Sequence, residues 1–453
     1  MTFDTQNPQT ASPRHASKLL HARWIIPVDG SRTILENHSM AIQDSRIAAI
    51  APTDQIKVSW TADEEFYLDQ HALIPGFINT HGHASMTLLR GIADDLPIME
   101  WLKGHIWPAE SEFVSEEFVY DGTRLAMAEM IRGGTTTFSD NYFFPDAAGQ
   151  AALEGGIRCQ LVFPVMDFPT PWSRNADNCI YKGLEVVDRF RNHDSILVGF
   201  GPHAPYSVSD EPLKEIITLA EQLDTNVQMH IHESAQEVAE AVEKTGMRPL
   251  RRLSELGFLS PRLQCTHMTQ LSEAEIQLIA QNGCSVLHCP ESNMKLASGF
   301  APVGRLQECG VNVAIGTDGC ASNNDLDMLG ETRTASFIAK AVAQDATALS
   351  AWGALEAATI NGAKAMGIAE QTGSLETGKL ADISAIAMNE LENLPMYNPV
   401  SQLIYTASRN QFTHVWCNGR NLMDNRHLTT LDESWIRQRA LEWQKRITAS
   451  RKG

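Results

Sequence analysis

The sequence predicts an α/β protein: a (β/α)8 barrel of the TIM type beside a small β-sandwich domain built from both chain ends. Three observations predict it. The chain has 453 residues, too many for one small domain and enough for a large α/β domain plus a smaller one. Eight strand-like segments alternate with helix-like segments between Leu73 and Asp318. Short alternating β-like pieces recur at the two ends. These observations divide the chain into residues 1–72, the first part of the small domain, 73–370, the barrel, and 371–453, the rest of the small domain with a terminal helix.

The elements follow in order. A polar tail containing Pro8 and Pro13 runs to about residue 15. "LLHARWIIPVD", "SMAIQDSRIAAIAP" and "EEFYLDQHALIPG" then alternate as a small antiparallel sheet. The barrel strands are expected at Leu73–His81, Thr135–Asp140, Ile157–Pro164, Ile196–His203, Asn226–His232, Leu263–His267, Cys284–His288 and Val311–Asp318. Between them, "SDEPLKEIITLAEQLD" has Ser209 to cap a helix and Pro212 in its first turn. "SEAEIQLIAQNG" places Ser272 and Glu275 in capping-box spacing and ends on Gly283. An open doubly wound sheet is the main alternative, but no GxGxxG turn follows the first strand. "GSLETGKLADISAIAM" and "FTHVWCNGRNLMDNRH" return to the N-terminal pattern, and "ESWIRQRALEWQKRITASRKG" reads as a basic amphipathic helix packed on the surface.

Composition narrows the function. Apolar residues make up 43% and supply a sizeable core. With 55 acidic against 36 basic residues the net charge is −19, which disfavours nucleic acid and anionic lipid as partners. The eight cysteines are scattered without a CxxC pair, as expected of free thiols in a reducing compartment. The N-terminus lacks the apolar core of a secretory signal, and no apolar run reaches membrane-spanning length, so a cytoplasmic protein is expected.

The chemistry gathers where the expected strands end. "NTHGH" closes the first with His81 and His83. Two residues apart, these rings share one side of an extended chain. Alone they are either a metal pair or two polar loop residues. The fourth strand ends at His203, the fifth at His230, His232 and Glu233, the sixth at His267 and the eighth at Asp318. In such a barrel these ends form one rim, where function sits. Six histidines and two carboxylates on one rim point to a metal site of nitrogen and carboxylate ligands with a position left for water. His81 and His83 supply two ligands, His230 or His232 a third, and Asp318 an anionic fourth; periodicity does not choose between His230 and His232. No lysine lies at the fourth or fifth strand end to bridge two ions as a carbamate, so one metal is expected. Water attack on an electron-poor carbon then needs proton carriers. Glu233 stands beside the ligands, His267 is placed to orient the water, and Asp318 to hold its proton.

"PGFINTHGHASMTLLRG", "MHIHES", "HCPESNMKLASGFAPV" and "GTDGCASNNDLDM" together resemble the amidohydrolase superfamily. Within it they are similar to the branch of 5′-methylthioadenosine/S-adenosylhomocysteine deaminases and related triazine chlorohydrolases and aminohydrolases. "NGAKAMGIAEQTGSLETGKLADI" resembles the superfamily's return to its β-domain. The resemblance implies His81, His83, His230 and Asp318 as ligands of one zinc-like ion, since its His-x-x-Glu pattern matches His230 and Glu233. It implies Glu233 as proton shuttle and His267 as the residue polarising water, in hydrolytic deamination of an adenine nucleoside to the inosine derivative and ammonia. "MEWLKGHIWPAE" resembles the family's substrate segment, with Trp101 as aromatic contact and Glu110 accepting both ribose hydroxyls. A buried tryptophan and a helix-end glutamate are the plain alternative. His203 resembles a residue near ribose or base. Arg174 stands near the family's arginine for a homocysteine carboxylate, against the alternative of a solvated loop arginine. The Pro- and aromatic-rich "FPVMDFPTPWS" instead shapes an apolar slot suited to a methylthio group. The resemblance also implies a homo-oligomer.

Two rivals stand beside this reading. One is a triazine chlorohydrolase or aminohydrolase, or a guanine deaminase, on the same scaffold, with Gly319 to Asn324 choosing the leaving group. The other is a non-catalytic relative, which the presence of Glu233, His267 and Asp318 together disfavours.

Overall fold

The computed structural model describes residues 13–451. Most of the expected N-terminal tail lies outside them, and from Arg14 onward the chain is already strand. The chain opens with β1 (Arg14–Ile25), β2 (Leu35–Gln43), β3 (Arg46–Pro52) and β4 (Trp60–Pro75). Eight short parallel strands follow: β5 (Phe77–Asn79), β6 (Thr135–Asp140), β7 (Arg158–Val165), β8 (Ile196–Pro202), β9 (Val227–Ile231), β10 (Leu263–His267), β11 (Ser285–His288) and β12 (Asn312–Ile315). The chain ends with β13 (Ile383–Ala387), β14 (Phe412–Cys417), β15 (Arg420–Asp424), β16 (His427–Leu428) and the helix Glu433–Ser450.

Strands β5 to β12 neighbour one another in sequence order. The two ends meet where Thr80 N–H donates to Ile315 O at 3.1 Å and Asp318 N–H to His81 O at 3.0 Å. That is the TIM-type barrel. The expected first strand, Leu73–His81, is in fact two. β4 belongs to the small domain and β5 to the barrel, and Gly76 makes the break. A Cβ on Gly76 would come within 2.2 Å of the Thr136 side chain, so only glycine lets the chain cross there. Its N–H donates to Asp382 O at 3.0 Å, tying the crossing to the chain's return.

Both chain ends contribute to the second sheet, in the order β16-β15-β14-β13-β4-β1-β2-β3. It is one continuous sheet, curled so that Leu20, Met40, Leu68, Ile383 and Trp416 share a buried cluster. It is mixed rather than antiparallel, because β1 pairs with β4 in parallel. The terminal helix packs on the barrel helix Glu116–Arg132: Ile436, Trp443 and Ile447 are buried, and Trp443 Nε1 donates to Asp121 at 2.8 Å. Ser115 caps Glu116–Arg132 through Phe118 N–H. Ser272 and Glu275 form the capping box expected of them. Ser209 occupies its N-cap position but makes no capping bond. All eight cysteines are free and seven are buried. Among the described residues no helix is long and apolar enough to cross a membrane.

The barrel interior below the rim is polar. Gln160, Gln228 and Gln264 are almost fully buried and bonded to one another, with Gln160 and Gln228 both donating to Gln264 Oε1 at 2.9 and 2.8 Å. Each buried amide finds partners, which is what makes a polar layer tolerable. Its orientation matters at the site above.

Candidate active site

His81 and His83 follow β5 on a short loop. His230 lies in β9, His267 ends β10, and Asp318 follows β12. All five are buried or nearly so, and they converge. One candidate ligand atom from each of His81, His83 and Asp318 lies within 4.8 Å of the others, and the same holds for His81, His230 and His267. The backbone makes room: a Cβ on Gly316 would sit 2.7 Å from His81 N.

The imidazoles are oriented from behind. His81 Nδ1 bonds Gln228 Oε1 at 2.7 Å, His83 Nδ1 bonds Asn141 O at 2.6 Å and His230 Nδ1 bonds His203 O at 2.7 Å. Two of these acceptors are backbone carbonyls. The third is an amide oxygen whose orientation is set by its nitrogen, which donates to Thr80 O and Gln264 Oε1. Each Nδ1 therefore carries a proton, and each Nε2 points inward, where a metal ion would take the place of any proton on it. His81 and His230 bring these Nε2 atoms within 3.2 Å, and Asp318 Oδ1 stands 3.2 Å from His83 Nε2. These ring nitrogens and the Asp318 carboxylate are thus gathered around one place. A divalent cation with nitrogen and carboxylate ligands at about 2 Å fits this donor set. Asp318 is prepared likewise. Its Oδ2 accepts from the Ser292 and Ser322 hydroxyls at 2.7 and 3.0 Å, and its Oδ1 from Gly319 N–H at 2.8 Å.

His232 does not join them. The backbone turns left-handed there (φ 54°), breaking the strand alternation that would have aligned it with His230. Its Nε2 accepts Leu250 N–H at 3.2 Å. The same turn aims Glu233, whose N–H donates to Glu237 Oε2 at 2.7 Å while His232 N–H donates to Oε1 at 3.1 Å. Burial, with Asp318 nearby, pushes the Glu233 carboxyl up to about 8. Its Oε2 lies 3.8 Å from His267 Nε2, and His267 Nδ1 bonds Asn293 Oδ1 at 2.9 Å.

These groups open into a cavity of about 800 Å3. Trp101 and Glu110 line it from the segment 98–113, which is wound through a π turn at Leu102–Ile106. Glu110 Oε1 accepts the Tyr142 hydroxyl at 2.7 Å, and burial raises its carboxyl to about 7. Trp101 Nε1 is buried without a partner. His203 also lines the cavity, its Nδ1 3.0 Å from Ser207 Oγ. Arg174 does not: it is exposed on the loop before the helix Ala176–Phe190. Among the described residues the only lysine or arginine in the wall is Lys103, whereas Met166, Phe168 and Pro169 are apolar there. Sequence reading missed Gln228, Asn141, Ser292, Asn293 and Glu237, which orient the reactive groups, and Tyr142. Asn141 and Tyr142 follow the end of β6, so a scan of every strand end for polar residues would have reached them.

The comparisons agree with this architecture. Residues 72–422 match the model of the amidohydrolase family. A protein of Saccharophagus degradans, named 5-methylthioadenosine/S-adenosylhomocysteine deaminase, is 51% identical over 96% of this chain and 98% of its own length. A solved adenosine deaminase from Xanthomonas campestris with bound zinc is 46% identical over 96% of this chain and 100% of that one, with a TM-score of 0.95. An atrazine chlorohydrolase from Arthrobacter aurescens, complexed with zinc, covers 94% of this chain and 99% of its own at a TM-score of 0.87, but at 22% identity it shares the fold alone. With the matched region spanning the barrel and reaching into both arms of the small domain, the chain belongs to the amidohydrolase family.

Proposed function

We propose that this chain is a metal-dependent hydrolase of carbon–nitrogen bonds that deaminates an adenine nucleoside to the inosine derivative and ammonia. Candidate substrates are 5′-methylthioadenosine, adenosine and S-adenosylhomocysteine. The observation that carries it is one cavity containing a cation-type donor set at one place and a buried carboxyl, Glu110, free at Oε2, at another. His81, His83, His230 and Asp318 would hold one divalent ion, zinc being the natural choice for such donors. When bound, it supplies a Lewis acid that makes water nucleophilic near neutral pH.

The chain's own residues do the rest. Glu233, held by its backbone bond to Glu237 and protonated near neutrality, delivers its proton to the ring nitrogen beside the carbon under attack. His267, its tautomer set by Asn293, directs Nε2 at the attacking water. Asp318 takes up one proton of the water and passes it to the departing amine, which leaves as ammonia, and the second water proton returns to Glu233 as the carbonyl forms. Glu110, ionised, accepts both ribose hydroxyls, with Trp101 and His203 beside the nucleoside. The apolar wall at Met166, Phe168 and Pro169, with Lys103 the single cation and no arginine in it among the described residues, favours an uncharged 5′ substituent, so 5′-methylthioadenosine is the preferred substrate and Arg174 is given no contact. The triazine and guanine alternatives leave Glu110 without a use. A cytoplasmic homo-oligomer and the boundaries 72/73 and 370/371 belong to the same proposal. The crossing at Gly76 moves the first boundary to the end of β4 at Pro75, and the return of strand at β13 supports the second.

The test is ammonia release, with a shift of adenine absorbance toward hypoxanthine, across adenosine, 5′-methylthioadenosine, S-adenosylhomocysteine, guanine and a chlorotriazine with zinc-loaded protein. Turnover of 5′-methylthioadenosine above the others is expected. No shift with any adenine nucleoside overturns the proposal.

A further inference from the structure

A second cavity of about 520 Å3 lies on the outside of the barrel. Its walls come from the C-terminal half of the helix Glu116–Arg132, the turn at 409–410, Arg426 and the terminal helix Glu433–Ser450. Five guanidiniums face it: Arg90, Arg132, Arg409, Arg426 and Arg437. Among the described residues its only carboxylates are Glu129 and Glu433. On a chain of net charge −19, a wall with five guanidiniums against two lining carboxylates, with Asp325 and Asp327 reaching Arg409 from behind at 3.4 and 4.0 Å, still carries one more positive than negative group and runs against the average.

Local ion pairing does not use these donors up. A guanidinium has five N–H donors. Arg426 commits Nη1 to the carbonyl oxygens of Arg132, Arg409 and Phe412 at 2.7, 3.1 and 2.9 Å. Arg132 gives Nη1 to Arg426 O at 3.0 Å and faces Glu433 at 3.5 Å. Arg90 is held by both Glu129 oxygens and by Asn324 O, and Arg409 meets Glu129 at 3.1 Å, Asp325 at 3.4 Å and Asp327 at 4.0 Å, so the least committed forks are those of Arg132 and Arg437. Arg437 is exposed and makes no side-chain bond or ion pair among the described residues. Burial, with Arg132 and Arg409 nearby, holds Arg426 below the usual arginine range, as expected where like charges crowd. Crowded guanidiniums with unmet forks are the recognition chemistry of phosphate oxygens. The spread of five of them around this volume suits linked phosphates better than one tetrahedral ion, and Leu125, Ile436 and Ala440 give the cavity an apolar side.

We propose that this crevice binds a pyrophosphate-type anion, either free or as the phosphate chain of a nucleotide. It is separate from the substrate cavity yet touches the segment that carries Asp318. Arg90 Nη1 donates to Asn324 O at 2.7 Å, Arg409 faces Asp325 at 3.4 Å, and Glu129 Oε1 accepts Leu326 N–H at 3.2 Å.

The test is calorimetric titration of the full-length, zinc-loaded protein with inorganic pyrophosphate, ATP and orthophosphate. The same titrations are run on Arg437→Glu, on Arg132→Met and, as control, on Arg174→Ala. Saturable binding of pyrophosphate or ATP is expected, stronger than that of orthophosphate and weakened by salt. It should weaken at least about tenfold in Arg437→Glu and Arg132→Met and stay unchanged in Arg174→Ala. Pyrophosphate binding as well as ATP identifies the free anion as sufficient; ATP binding alone identifies the nucleotide. Because Arg437 is exposed and outside the substrate cavity, its variant should fold and keep wild-type turnover. No binding at millimolar anion overturns the proposal. So does binding of equal strength in wild type and both crevice variants, which is capture of the anion by the metal.

Discussion

The ring of candidate metal ligands and the wall that carries Trp101 and Glu110, in the same cavity, are built on opposite principles. In the ring every reactive atom is fixed from behind: three imidazoles through Nδ1, Asp318 through two serine hydroxyls, His267 through Asn293. In the wall, Glu110 has one side-chain partner and Trp101 Nε1 has none, on a segment wound through a π turn. Strand ends supply the first region and an irregular helical insertion the second. Chemistry that needs sub-ångström placement sits on the rigid elements, and selection among related ligands sits where the backbone can vary without disturbing it.

The largest expected effects fall on the ring. Stripping the protein with a chelator should abolish turnover, and restoring zinc should recover it; full activity in metal-free protein breaks the comparison outright. Glu233→Gln should lower kcat by about 10^2- to 10^4-fold while zinc content, read by atomic emission, stays at one per chain. Loss of zinc in that variant would move Glu233 from proton carrier to ligand support. A remoter change sharpens the point. Gln228→Leu touches no substrate, yet it removes the acceptor on His81 Nδ1. Zinc affinity by chelator competition should weaken about 10- to 100-fold. Unchanged affinity would mean that the polar layer fills space rather than orients.

The same contrast explains what could be read from the sequence. Strand ends announce themselves, because a buried run stops at polar residues: His81, His83, His230, Glu233, His267 and Asp318 could all be picked out there as candidates, and the structure gathers them around one cavity. Thr135–Asp140 and Leu263–His267 came out residue for residue. The choice of His230 over His232 was not legible from period, because it depends on a positive φ at His232, and an L-residue carries no sequence mark of that. The split of the first strand at Gly76 hinges on contact with Thr136, and the parallel β1–β4 pairing joins segments far apart in the chain. Gln228 was silent because one buried amide in an apolar strand resembles any other until its partners, Gln264 and Thr80, are brought to it by barrel closure. Arg174 was placed by analogy, and the loop carries it away from the cavity.

Smaller effects are expected at the wall. Glu110→Gln should raise KM for an adenine nucleoside by about tenfold with kcat little changed, since a neutral amide accepts hydroxyl donors more weakly than a carboxylate. The pH dependence separates this from a packing defect. Burial raises the Glu110 carboxyl to about 7, so the ionised, hydroxyl-accepting form prevails above that pH and is lost as pH falls through it. In the wild type log(kcat/KM) should therefore gain an acid limb near pH 7 that Glu110→Gln lacks. An acid limb that survives in the variant belongs to another group.

The smallest effect is the most discriminating between the two ways of placing a residue. Arg174 is exposed, its backbone N–H accepted by Asn178 Oδ1 at 3.3 Å, and its guanidinium lines no part of the cavity. Arg174→Ala should change kcat/KM for 5′-methylthioadenosine and for S-adenosylhomocysteine alike by less than about twofold, as for any surface substitution. If instead only S-adenosylhomocysteine suffers, by about tenfold or more, its carboxylate is being met by an arginine that swings in on binding. The loop at 167–175 would then be an adaptable part of the wall, and the apolar slot formed by Met166 and Phe168 would no longer account for preference for an uncharged substituent.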